Sequence, residues 1–249
     1  MGTGYTREVT PTGRPRRRGW FITFEGPEGA GKTTQTERLR ASLAASGRSV
    51  ELVREPGGTP AGERIRDLLL SADGGAALGT RTDALLFNAA RAQLVADVIE
   101  PSLAAGTSVI STRFADSTLA YQGFGAGLDL DELRAIERFA TGGLRPDLTI
   151  LLDVPAELGL ERKAGEETRF ESAFDHAFHD RVRQGFLTLA AGEPHRFAVI
   201  DGRLDPDDVA AAIDSAVEQF LGTDETGGEG VAGGDSRPDV NRSTSRCAS

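Results

Sequence analysis

The chain has 249 residues, 39% of them hydrophobic and 27% charged, with a formal net charge of −10 at pH 7. Those proportions supply one sizeable core and exclude wholesale disorder. The acidic balance argues against coating a nucleic acid, and no apolar run approaches the ~18–20 residues of a membrane span. A single cysteine, Cys247, excludes an internal disulfide framework and fits a reducing compartment such as the cytoplasm.

Residues 1–18 hold five arginines among Gly, Pro and Thr and show no apolar periodicity. They read as a disordered basic arm, because the apolar segment behind the arginine run ends at Glu25, too soon for an export signal. A strand over 20–25 runs into a Gly-rich turn, and a helix over 32–46 stops at Gly47, a glycine suited to ending it. A second strand covers 49–54. Helices follow over 63–70 and 83–103, the longer one with Pro101 near its end, and a β-branched strand over 108–112. Gly123-Phe124-Gly125-Ala126-Gly127 follows no strand directly and reads as a mobile loop. A helix over 129–140 leads to the most apolar strand, 148–153, then to helices over 155–163 and 170–191. A last strand, 197–201, and a last helix, 207–221, close a core of 19–222. Residues 223–249, rich in Gly, Ser and charge, cannot repay the entropy of ordering and read as a disordered tail.

Alternating strands and helices with continuous apolar strands predict an α/β fold. Three layers are expected, with a central, mostly five-stranded parallel sheet buried between helices on both faces. Ligands of such a sheet sit at the carboxyl ends of its strands.

Gly26-Pro27-Glu28-Gly29-Ala30-Gly31-Lys32-Thr33 fits the phosphate-binding pattern G-x-x-x-x-G-K-[ST], with a strand before it and a helix after it. Backbone N–H groups of such a loop converge on one point, where the helix N-terminus adds positive potential. Lys32 can then reach the β and γ phosphates and the Thr33 hydroxyl can bind Mg²⁺, with Thr34 continuing the loop into the helix. Lys32 and Lys163 are the only lysines. Asp153 closes an apolar strand, where it could hold a metal-bound water near the phosphates or cap the next helix. His176 and His179 stand three apart on a helix, but nothing else supplies ligands, so solvated positions are expected.

The motifs that follow the loop are Arg54-Glu55-Pro56-Gly57-Gly58-Thr59, Leu85-Leu86-Phe87-Asn88-Ala89-Ala90-Arg91, and Arg113 with Asp116-Ser117-Thr118-Leu119-Ala120-Tyr121-Gln122-Gly123. Their order and spacing, over the whole core, resemble the bacterial thymidylate kinase family of P-loop nucleoside monophosphate kinases. The resemblance implies transfer of the γ-phosphate of ATP to dTMP with Mg²⁺, in a cytoplasmic homodimer. Arg113 is then the arginine on the acceptor phosphate, and Arg66 a second phosphate or sugar contact. As a residue on a helix face, Arg66 could equally pair with Glu63 or Asp67. By the same resemblance Phe87 stacks on thymine, Arg91 bonds its O4, and Thr118 and Gln122 reach the base edge. Tyr121 crowds C2′, Glu28 bonds the 3′-OH, and Glu55 orders the pocket.

The segment 159–171 resembles the family's lid, with Arg162 and Arg169 closing on the transferring phosphate. Asp201-Gly202-Arg203 could flank adenine. One departure stands out: the family usually has Asp before the strand-three arginine, and here that residue is Thr112. It keeps an oxygen and loses a charge, which leaves a nucleotide-binding regulatory protein with an impaired kinase site as the rival reading.

Overall fold

The computed structural model describes residues 18–70, 78–163 and 175–226. Five strands form one parallel sheet: β1 (Phe21–Glu25), β2 (Val50–Arg54), β3 (Ser108–Thr112), β4 (Leu148–Asp153) and β5 (Phe197–Asp201), in the order β2-β3-β1-β4-β5. Alternation along each strand divides the side chains between two helical layers. Ile22, Phe24, Ile110, Ile150 and Leu152 pack against α1 (Lys32–Ala45) and α9 (Pro206–Thr226). On the opposite face Phe21 and Val109 meet α3 (Thr80–Leu94), and Leu151 meets α8 (His176–Gly192). Phe21 and Phe24 are fully buried on opposite faces, and burial of each stabilises the fold by about 2–3 kcal/mol. The expectation of three layers around a five-stranded parallel sheet is therefore met.

The remaining helices are α2 (Pro60–Leu70), α4 (Glu100–Ala104), α5 (Ala115–Thr118), α6 (Leu130–Thr141) and α7 (Ala156–Lys163). Asp129 caps α6 by accepting from the Asp131 and Glu132 amides at 2.9 Å each, and Asp175 caps α8 through the Phe178 amide.

Several expected boundaries move. The helix expected over 83–103 is a rod in three pieces: α3, a wide π-type turn over Val95–Ile99, and α4. Pro101 has no N–H to donate and its ring collides with the carbonyl four residues back, so the turn before it opens. Of the glycine cluster at 123–127, expected to be a loop, Gly123–Gly125 is helical. Leu119–Gly125 is a second wide turn, and Gly125 is buried against α8, where a β-carbon would lie 2.7 Å from the Phe178 ring. The last helix runs to Thr226, beyond the expected end of the core at 222. The basic arm up to residue 17, the tail from 227 and most of the lid, including Arg169, lie outside the described residues.

Candidate active site

One cavity of about 930 Å³ opens at the carboxyl ends of the strands, with the phosphate-binding loop at one end and Phe87, Tyr121 and Gln122 at the other. The loop curls because its glycines adopt conformations that side chains resist: Gly29 has φ 66° and Gly31, just before α1, φ 85°. The loop also touches α7 backbone to backbone. A β-carbon on Gly29 would lie 1.9 Å from the Gly159 carbonyl oxygen, and one on Gly159 would lie 2.2 Å from that of Glu28.

Lys32 is buried beneath the loop and donates to the carbonyls of Gly26 (2.9 Å) and Pro27 (2.7 Å). Burial, helped by Arg113, brings its ammonium down to about 7 against the pull of Glu28. Gly26 and Pro27 thus form the underside of the loop, while Glu28, Gly29, Ala30, Gly31, Thr33 and Thr34 line the cavity.

Arg113 stands where the two halves of the cavity meet. It follows β3 with φ 70°, an unusual conformation for a residue with a side chain. Its guanidinium donates to Glu28 Oε1 (2.7 Å), the Tyr121 hydroxyl (3.1 Å), Ser117 Oγ (3.0 Å) and the Gly26 carbonyl (3.2 Å). Burial opposes the Glu28 charge, but Arg113, Lys32 and the Tyr121 hydroxyl bring this carboxyl down to about 2. Burial pushes the Tyr121 phenol far up, so it remains a donor, at 3.0 Å from Glu28.

The far wall is built around Arg91. This guanidinium is 1% exposed. Its Nε donates to Glu55 Oε2, Nη1 to Asn88 Oδ1 and Thr118 Oγ1, and Nη2 to the Phe114 carbonyl, while Nη2 also pairs with Glu55 Oε2 at 2.8 Å. Four of the five N–H donors an arginine owns are hydrogen-bonded, and the ion pair occupies the remaining side. A bond to a base O4, the role expected of Arg91, would have to displace one of these acceptors. What the structure gives Arg91 is the placement of Glu55 and Thr118. Arg66 also lines the cavity. It pairs with neither Glu63 nor Asp67, donating instead to the Pro56 carbonyl at 2.9 Å, while Glu63 is held by Arg54 and the Gly58 amide. Arg162 lies at the rim, donating to the Gly202 carbonyl at 2.9 Å.

Asp153 does not join the site. Strand alternation turns it, with Leu151, toward α8, where Arg183 grips both carboxylate oxygens at 2.7 and 2.8 Å. A role beside a metal is corrected accordingly: the carboxylate is spent on an ion pair and does not line the cavity. His179 is buried in α8, contrary to the solvated position expected for it.

Three participants escaped the sequence reading. Glu25, at the end of β1, is buried and accepts from the Phe114 amide (2.8 Å) and Ser117 Oγ (2.6 Å), fixing the corner that carries Arg113. Burial and then Asp116 raise its carboxyl to about 7. Thr36 receives the Thr112 hydroxyl at 3.4 Å and passes its own hydrogen to the Thr33 carbonyl at 2.9 Å. Lys163 lines the cavity beside Arg162, and its rarity was the one available signal.

The arrangement gathers a phosphate loop, a slot for a flat ring and a fixed cation between them. Among known proteins, the family profile described as thymidylate kinase matches residues 24–213. A thymidylate kinase of Thermomicrobium roseum is 53% identical over 205 residues, 81% of this chain and 96% of that protein. One of Geobacter sulfurreducens is 52% identical over 202 residues, 78% of this chain and 94% of that protein. The crystal structure of thymidylate kinase from Ehrlichia chaffeensis superposes with a TM-score of 0.66 at 34% identity, covering 80% of this chain and 99% of that one. From its phosphate loop through α9, the chain belongs to the thymidylate kinase family.

Proposed function

We propose that the protein transfers the γ-phosphoryl group of ATP to dTMP, yielding ADP and dTDP by direct in-line displacement without a covalent enzyme intermediate. The observation that carries this reading is the continuity of one cavity from the phosphate loop, past Arg113, to the slot beside Phe87 and Tyr121. Two polyanions must be brought together, so positioning and charge cancellation dominate the chemistry. The loop amides and Lys32 hold the donor phosphates. Arg113, oriented by Glu28, Ser117 and Tyr121, spans the gap to the acceptor phosphate. Arg162 approaches from the rim, and Arg66 flanks the acceptor side. Phe87 and Tyr121 confine the base and the 2′ side of the sugar, and Thr118 and Gln122 read the base edge.

Mg²⁺ arriving with ATP supplies further charge neutralisation. The Thr33 hydroxyl is the donor this chain offers it, a set that suits an ion which keeps most of its waters. Among the described residues no cluster of three or more carboxylates, histidines or cysteines is built for a metal. The same reading includes a homodimer in the cytoplasm.

Acceptor choice tests the reading. Purified protein with ATP and Mg²⁺ is expected to use dTMP best, dUMP less well, and AMP and GMP negligibly. A higher kcat/KM for either purine monophosphate would refute it.

Thr112 sets the expected rate. A unit charge ~5 Å from the reacting groups at an effective dielectric of ~20 is worth about 3 kcal/mol. Solvent screening reduces this to about 1–2 kcal/mol, or roughly tenfold in rate. The Thr112 and Thr36 hydroxyls, linked to each other and to the Thr33 carbonyl, offer lone pairs but no charge. Thr112→Asp is therefore expected to raise turnover about tenfold or to lower the Mg²⁺ needed for half-maximal rate, and Thr112→Ala to do the opposite, mildly. Slower turnover by Thr112→Asp across a Mg²⁺ titration would contradict this account.

A further inference from the structure

The segment that carries the acceptor-side groups has little stability of its own. α5 spans four residues, a single turn, with Arg113 at positive φ before it and a wide turn after it. Besides Arg91, which holds the Phe114 carbonyl and Thr118, two buried anchors hold it. One is Glu25, beneath Phe114 and Ser117. The other comes from the far edge of the sheet, where Arg196, in the turn before β5, reaches Asp116 of α5.

Arg196 and Asp116 are both buried, with side chains 7% and 6% exposed. Arg196 Nη1 donates to Asp116 Oδ2 at 2.7 Å and Nη2 to Oδ1 at 2.9 Å, a two-pronged pair. The remaining donors go to Thr149 Oγ1 (2.7 Å) and to the two Glu193 oxygens (3.0 and 3.3 Å). Thr149, in β4, shares a hydrogen bond with Thr23 in β1 at 2.9 Å. The guanidinium is thus locked into the sheet floor on one side and holds α5 on the other. Neither Arg196 nor Asp116 lines the cavity. A buried ion pair adds little net stability over apolar residues of similar volume, because both charges must be desolvated. What it adds here is a fixed position for the residues on either side of Asp116.

We infer that Arg196 is a positioning residue for the acceptor half of the site: through Asp116 it sets where Arg113, Thr118 and Tyr121 stand. The inference rests on the assignment of that half to dTMP. The phosphate loop leads from β1 into α1 on the opposite face of the sheet, so loss of the pair is expected to leave it in place. The expected signature is therefore a defect confined to one substrate.

The test is steady-state kinetics on Arg196→Gln, Asp116→Asn and the double variant, varying dTMP and ATP separately, with thermal melting alongside. Arg196→Gln should raise the dTMP KM about tenfold and leave the ATP KM within about twofold, since small misplacements of reacting groups are costly. Asp116→Asn keeps Arg196 on Thr149 and Glu193 and should show a milder form of the same split, which serves if Arg196→Gln does not fold. The double variant, with two neutral amides able to pair, should recover part of the dTMP KM lost by Arg196→Gln. A lowered melting temperature with both KM values unchanged would overturn the inference and leave the pair purely structural. So would equal rises in both KM values. Wild-type protein without dTMP turnover would instead remove the acceptor assignment, which the same assay reports separately.

Discussion

Replacing Arg113 with methionine is expected to lower kcat/KM for dTMP by about a thousandfold, the scale seen when an arginine is taken from a phosphoryl-transfer site. Methionine approximates the length of the side chain and carries no charge, so the change isolates the guanidinium. The backbone at φ 70° is equally awkward for both residues and adds no difference. Four acceptors each lose one donor at once, Glu28, Tyr121, Ser117 and the Gly26 carbonyl, although Glu28 keeps Tyr121 and the Gly26 carbonyl keeps Lys32. Glu28 feels it most, because Arg113 is the leading opponent of the burial that disfavours its charge. The depressed Glu28 carboxyl contributes stability that is present above about pH 4.5 and lost as pH falls toward 2. In the methionine variant that contribution shrinks, so its melting temperature at pH 7 should fall toward its acid value. Arg113→Lys keeps the charge without the planar fork and should fall between. Steady-state kinetics with melting curves as a control decide the matter, and a loss under about tenfold would show that Arg113 is not the bridging cation.

Gly159→Ala is expected to cost about a hundredfold in turnover while leaving the protein folded. Alanine favours a helix over glycine by about 1 kcal/mol, so α7 itself gains. The added carbon would stand 2.2 Å from the Glu28 carbonyl oxygen, and backbone on both sides leaves it no room. The helix must lift from the phosphate loop, carrying Arg162 and Lys163 away from the cavity they line. The reciprocal change, Gly29→Ala, would add strain at φ 66° to the same collision and confuse the two effects. Unaltered turnover by a folded Gly159→Ala would mean that contact between loop and helix is irrelevant to the reaction.

The layered sheet and the phosphate loop were legible in the sequence because both are local signals. Apolar strands such as 148–153 announce burial on both faces, and the loop pattern sits between a strand and a helix. The cavity-lining set around Phe87, Thr118 and Tyr121 was legible through resemblance and is brought together as expected. What was not legible depends on pairings between distant segments. Nothing near Asp153 in the chain shows that Arg183, thirty residues on, takes its carboxylate. Arg91 was expected to bond the base, and nothing nearby shows that its donors meet two other segments, at Glu55 and at Phe114 with Thr118. Arg196 drew no notice, since its partner lies eighty positions away. The glycine cluster at 123–127 misled for the opposite reason. Glycine marks a loop by composition, but here its missing side chain admits Phe178.

The bond from Arg91 to Thr118 bears on how the base edge is told apart. A guanidinium can only donate, so the Thr118 oxygen, 3.1 Å from Nη1, is compelled to act there as an acceptor. That bond takes one lone pair of the hydroxyl and leaves its proton and its second lone pair; with the proton turned to the cavity, Thr118 is a giver of a hydrogen bond. A ring that offers a carbonyl at that place meets its complement. One that offers an amino group sets donor against donor and leaves both unsatisfied in a buried slot, a penalty larger than the bond itself is worth. Under the proposed assignment of this slot to the base, a Thr118 proton so placed favours an oxo over an amino pyrimidine, with Arg91 holding the threonine from behind.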